Sequence, residues 1–183
     1  MNGHVIAARG PPRGTAYPRH DQTTAAVAAA PGSLFAFLDD HMSLSSHMNR
    51  SSWMMGGGKM KTQLGAGGGK APGSTIRLSG RVFGIPLWVD EVVTERTPPY
   101  RKTWETIGQP RLLVIGPYRM GFVIAMHDGS SQLTVFIDYD LPDTGPARWL
   151  GRLLGGIYAR WCTRQMAQDA VRHFAAARSA NGS

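Results

Sequence analysis

From Ser74 to Asp140 apolar and polar residues alternate in short runs, the two-residue period of strands that bury one face. Ser74 to Val82 sets Ile76, Leu78 and Val82 against Thr75, Arg77 and Arg81. Ile85 to Glu95 follows Gly84, and Arg101 to Ile107 follows the turn Thr97-Pro98-Pro99. Connections this short are hairpins, so the pattern predicts an antiparallel sheet. Leu112 to Met126 is long for one strand, and Gly116-Pro117 and Gly121 predict bends in it, as a strongly curved sheet requires. After Asp128-Gly129, the run Gln132 to Asp140 alternates Leu133, Val135, Ile137 and Tyr139 with Thr134, Phe136, Asp138 and Asp140.

Before the sheet pattern, Thr23 to Ala30 reads as a weakly apolar strand that runs into Pro31-Gly32-Ser33. Ser33 is expected to cap a short helix carrying Leu34, Phe35, Phe37 and Leu38, and Asp39-Asp40 to end or bend it. Met42, Leu44 and Met48 predict a second short helix over His41 to Met48. Between Ser51 and Gly73 two glycine runs, Gly56 to Gly58 and Gly67 to Gly69, predict a strand, a bending glycine loop and the next strand. The second run is not a phosphate cradle of the Walker type. Leu64 stands where that loop needs glycine, and Ala71 where it needs Ser or Thr.

Leu141-Pro142-Asp143-Thr144-Gly145-Pro146 introduces a long closing helix, with Asp143 or Thr144 as its cap and Pro146 in its first turn. Every fourth residue is then apolar or small: Leu150, Leu154, Tyr158, Cys162, Met166, Ala170 and Phe174. Four residues exceed one turn of 3.6, so this stripe drifts by about 40° per step and needs a surface that itself turns, such as a twisted sheet. Gly155-Gly156 offers either a close approach or a kink in mid-helix.

At 183 residues the chain holds one domain. We expect a disordered basic leader over residues 1–20, a single domain over 21–178 and a disordered tail over 179–183. One cysteine, Cys162, excludes an internal disulfide and a thiolate metal cluster, and a cytoplasmic location is expected. No apolar run approaches the roughly 20 residues that span a bilayer. The +8 formal charge comes from 20 basic and 12 acidic residues, with Arg148, Arg152, Arg160, Arg164, Arg172 and Arg178 on the last helix against Asp169 alone. We read this helix as a solvated basic face, with peripheral contact to an anionic membrane as the alternative. Specific nucleic-acid binding is not expected, because no groove-reading motif or aromatic RNA platform accompanies the charge.

This order of elements resembles the START and Bet v 1-like superfamily, whose members include bacterial polyketide cyclase and lipid-transport domains. The resemblance rests on the strand-to-helix junction Val27-Ala28-Ala29-Ala30-Pro31-Gly32-Ser33-Leu34-Phe35, on Gly73-Ser74-Thr75-Ile76, on Glu91-Val92-Val93-Thr94 before Pro98-Pro99, on Trp104-Glu105, and on the helix after Leu141-Pro142. It covers roughly Thr23 to Ala176. It implies an α+β helix-grip fold: a curved antiparallel sheet of six or seven strands around the closing helix, with two short helices after the first strand. It also implies a cavity between sheet and helix that takes a hydrophobic small molecule, lipid-like or aromatic, without a cofactor. A monomer or homodimer is expected. A cyclase or dehydratase is the enzymatic alternative, and an assembly or membrane-surface partner is a third.

The side chains expected to line such a cavity are Met42, Met48, Trp53, Met55, Trp88, Trp104, Met120, Phe122, Tyr158 and Trp161, large flexible or aromatic groups that otherwise serve as core bulk. His41 and His47 are the candidate acid–base groups, with Glu105 as the strand carboxylate. The two histidines are six residues apart and do not share a helix face, so no metal site is expected. Glu91, Glu105, Asp138 and Asp140 would each be a raised-pKa base if turned inward, and we read them as paired with Arg77, Arg101 or Arg119 across strands. Cys162 on the apolar stripe reads as an inert buried thiol.

Overall fold

The structure, a computed structural model, describes residues 17–40, 60–82, 84–127, 130–143 and 145–181. Seven strands form one antiparallel sheet: β1 (Arg19–Val27), β2 (Met60–Leu64), β3 (Thr75–Val82), β4 (Ile85–Thr97), β5 (Arg101–Arg111), β6 (Tyr118–His127) and β7 (Ser130–Tyr139). Their spatial order is β1-β7-β6-β5-β4-β3-β2, so β2 to β7 follow one another as neighbours and β1 closes against β7. Helix α1 (Pro31–Asp39) follows β1, and α2 (Gly145–Asn181) ends the chain. This is the helix-grip α+β architecture that the resemblance implies. The expected helix over His41 to Met48, with Met42 and both candidate histidines, lies outside the described residues, as do Trp53 and Met55.

Cross-strand register shows which side chains share the inner face. Val93 pairs with Trp104, Trp104 with Met120, Met120 with Ile137, and Ile137 with Asp21, a row that crosses five strands. The next row is Lys102, Phe122, Val135 and Thr23. Helix α2 lies closest to β1 and β7 at one side of this face. Thr23 Oγ1 and Thr163 Oγ1, 2.9 Å apart, tie β1 to it.

Two apolar clusters lie between the layers. Leu34, Phe35 and Leu38 of α1 join Phe122, Leu133, Val135 and Trp104 with Met166, Ala167 and Ala170 in the second half of α2. Ile76, Val89, Val93, Ile115, Tyr118 and Ile137 gather near Ala159 and, at their edge, Tyr158 and Trp161. Met120 packs against both.

Several boundaries differ from the sequence reading. Strand β1 begins at Arg19, so Arg19 and His20 belong to the fold and not to a leader. Ala30 occupies the N-cap of α1 and Pro31 its first turn, which needs no side-chain cap from Ser33. Strand β5 runs on to Arg111, and residues 112–117 form a connection rather than the middle of one long strand. Helix α2 continues through Asn181, into the segment expected as a tail.

The first half of α2 faces differently from its predicted stripe. Leu150 and Leu154 are exposed, and the contact face there is Gly151 and Gly155. A Cβ on Gly151 would stand 2.8 Å from Pro142 Cδ and 3.0 Å from the Val114 carbonyl oxygen, and one on Gly155 would stand 3.0 Å from both Val114 O and Leu141 Cδ2. Glycine thus supplies a close approach and no break: α2 is continuous from Gly145. The drift of about 40° per step carries a fourfold ladder off the contact face within two turns.

Candidate functional site

In β4 the inward phase is Leu87, Val89, Glu91 and Val93, three aliphatic side chains and one carboxyl. Glu91 is 3% exposed. Tyr118 of β6 donates its hydroxyl to Glu91 Oε1, and the Trp104 indole of β5 donates to the same carboxyl, so three adjacent strands converge on one group. Thr106, register partner of Glu91, places this corner: its Oγ1 accepts from the Tyr118 backbone N–H at 3.2 Å.

Burial among Val89, Val93 and Ile76 pushes the Glu91 carboxyl up to about 7, even though the Tyr118 and Trp104 hydrogen bonds pull it down. Burial and the neighbouring Glu91 charge drive the Tyr118 phenol well above its ordinary value. From the opposite side, α2 contributes Tyr158 and Cys162, one turn apart and hydrogen-bonded to each other. Cys162 raises the Tyr158 phenol, with burial adding to it, and burial raises the Cys162 thiol to about 12. At neutral pH this thiol carries its proton and is no nucleophile.

Glu91, Tyr118, Tyr158 and Cys162 therefore form a polar set in an apolar interior, uncharged below pH 7. It can donate to a carbonyl oxygen or accept from a hydroxyl. Near pH 7 Glu91 can also give up or take a proton.

Of the residues expected at a cavity, Trp104, Met120, Phe122, Tyr158 and Trp161 lie between sheet and helix. Phe122 meets Phe35 edge-on with centroids 5.6 Å apart, and Tyr158 lies 5.9 Å from Trp161. Trp88 does not join them. It alternates out of phase with Glu91, is 40% exposed and stacks under Arg111 at 5.4 Å. Glu105, the carboxylate expected to assist catalysis, also points to the outer face, where Arg119 stands opposite at 4.0 Å. Arg119 bonds Asp138 at 2.8 Å, Arg101 bonds Glu95 at 2.9 Å, and Arg77 forks onto Asp90. Cross-strand pairing is the arrangement for these outer carboxylates, and Glu91 is the exception. His41, His47, Met42, Met48, Trp53 and Met55 lie outside the described residues.

A second buried group stands at the end of α1. Lys102 has no exposed surface, and its Nζ donates to Asp39 Oδ1 at 2.7 Å and to the Asp39 carbonyl at 3.2 Å. Arg96 Nη2 donates to Asp39 Oδ2 at 2.8 Å. Burial pushes the Asp39 carboxyl up, but the bonds from Arg96 and Lys102 outweigh it and hold the group below its usual range. Among the described residues no cluster of His, Cys, Asp and Glu is arranged to hold a metal, and no helix is long and apolar enough to cross a membrane.

No protein-family model matches the chain, and no curated protein is similar to it in sequence. Solved structures are similar in shape. The TTHA0849 protein of Thermus thermophilus has a TM-score of 0.63 at 11% identity, covering 87% of this chain and 99% of its own. Ara h 8.0201 has a TM-score of 0.61 at 12% identity, with 86% and 98% covered. The ZhuI aromatase/cyclase from Streptomyces sp. R1128 has a TM-score of 0.58 at 15% identity, with 84% and 94% covered. The chain thus shares its helix-grip fold with these proteins.

Proposed function

We propose that the protein binds a hydrophobic small molecule between the sheet and α2, with Glu91 and Tyr118 as its polar anchor. The observation that carries this reading is the placement of a hydrogen-bonded carboxyl and phenol pair among the buried apolar side chains of the inner face. A purely structural interior gains nothing from a buried carboxyl, whereas a binding site needs a few polar groups to orient an apolar guest. Tyr158 and Cys162 support it, two further polar groups that α2 brings to the same interior, each with part of its surface accessible. The similar fold of an aromatase/cyclase supports an aromatic guest over a simple acyl chain.

2-Naphthol and palmitate serve as aromatic and lipid-like probes. We expect 2-naphthol to raise the thermal transition, since saturation at a hundred times Kd adds about 2.7 kcal/mol. Glu91→Leu removes the anchor and is expected to weaken binding about tenfold, while Glu91→Gln keeps an acceptor for Tyr118 and binds nearly as the parent does. No shift with either probe overturns the reading.

The value of about 7 for Glu91 favours one second reading, a cofactor-free cyclisation or dehydration in which Glu91 moves the proton. In that case a poly-β-ketone thioester mimic turns over, and Glu91→Gln lowers kcat by about a hundredfold or more without changing binding. Equal turnover in the Glu91→Gln protein counts against it.

A further inference from the structure

The outer face of α2 carries exposed apolar side chains among its exposed arginines. Trp149 is 69% exposed, Leu153 73% and Ile157 58%, with Leu150 and Leu154 beside them. At about 100° per residue, Leu150, Leu153, Ile157, Arg160 and Arg164 fall within about 80° of one another, on the side away from buried Ala159 and Met166. A contiguous apolar stripe on the outside of a helix marks a surface that meets something else.

The charge around the stripe identifies the partner. Residues 145–168 contain Arg148, Arg152, Arg160 and Arg164 and no acidic residue. Beside Leu153 and Ile157 a groove of about 290 Å³ is lined by Arg19, Arg152 and Arg160 with the Tyr139 ring. Arg160 Nε stands 3.5 Å from Asp21 Oδ2, which fixes the guanidinium at the groove, and Arg152 lies 5.7 Å from the Trp149 ring. Long arginine stems reach past an apolar contact to place their charge beside it, the composition of a helix that lies in a headgroup layer.

We infer that the first half of α2 docks on an anionic phospholipid bilayer, with Trp149, Leu153 and Ile157 entering the acyl boundary and Arg19, Arg152 and Arg160 receiving lipid phosphate. This surface is separate from the interior around Glu91. Its occupation does not depend on an internal guest.

Sedimentation of the full chain with vesicles tests it. Vesicles of phosphatidylglycerol and phosphatidylcholine are expected to carry the protein down at low salt, and pure phosphatidylcholine vesicles are not. Raising the ionic strength through the physiological range weakens binding. Leu153→Ser with Ile157→Ser, at two exposed positions, and separately Arg19→Ser with Arg152→Ser, are each expected to reduce binding about tenfold or more. Unchanged far-ultraviolet circular dichroism and melting temperature certify both variants. Three outcomes overturn the inference: no binding to the charged vesicles, binding that both variants retain, or a dimer in analytical ultracentrifugation that Leu153→Ser with Ile157→Ser dissociates while vesicles bind neither form. The last would assign the stripe to a second copy of the chain.

Discussion

Replacing Asp39 with alanine is expected to destabilise the protein by about 3–5 kcal/mol, the range for leaving one member of a buried ion pair without its partner. Lys102 has no exposed surface and its ammonium is met by the Asp39 carboxylate at 2.7 Å. Without that carboxylate it keeps one long bond to a backbone carbonyl. Arg96 is 28% exposed along its side chain and can turn to solvent, so Lys102 carries most of the loss. Lys102→Met is expected to cost much less, because Arg96 still holds Asp39 while the methionine fills the space apolarly. The double variant should then be more stable than Asp39→Ala alone. Urea denaturation of the four proteins closes the cycle. A loss below about 1 kcal/mol for Asp39→Ala, or a double variant weaker than either single one, contradicts this account. Because Asp39 is held below its ordinary value, its contribution is complete above pH 3.8 and is lost as pH falls through the folded-state value.

Glu91 has the opposite sign. Its folded-state value of about 7 exceeds the ordinary 4.5, so the folded state binds the proton more tightly than the unfolded state does. Below pH 4.5 both states are protonated and the group makes no difference. Between pH 4.5 and about 7 the unfolded chain ionises first, and the fold loses stability up to about 3 kcal/mol. Glu91→Gln removes the titration. The stability of the glutamine variant minus that of the parent should therefore widen across this window and level off above it. Tyr118→Phe deletes a hydrogen bond that favours the ionised form, and should move the end of the window to higher pH. A difference that does not vary with pH would mean that Glu91 is solvated or ion-paired.

The strand pattern made most of the fold legible. The run Gln132 to Asp140 matches β7, and Ile76, Leu78 and Val82 are the buried positions of β3. The same alternation contained Glu91's position: Leu87, Val89 and Val93 are in its phase, and Trp88 and Asp90 are not. Pairing with a neighbouring arginine is the common fate of a strand carboxylate and describes Asp90, Glu95 and Asp138. What distinguished Glu91 was the company of its phase. Tyr118 carried no local signal, because its part in the site depends on β6 lying two strands from β4, which is a matter of register. Lys102 was obscured for the same reason, since only the packing of α1 over β6 and β7 sets its last residue, Asp39, beside Arg96 and Lys102. The first half of α2 misled through its leucines: a fourfold ladder fits Cys162, Met166 and Ala170, but Gly151 and Gly155 take the contact face earlier in the helix.

Methyl-resolved NMR during a titration with 2-naphthol reads directly whether a guest occupies the interior between sheet and helix. The methyl signals of Ile76, Ile137 and Met120, which line the inner face, should move together and saturate, while those of exposed Met126 and Ile157 stay in place. Shifts confined to Met126, Ile157 or other surface methyls, or no saturable shift at all, would contradict an occupied interior.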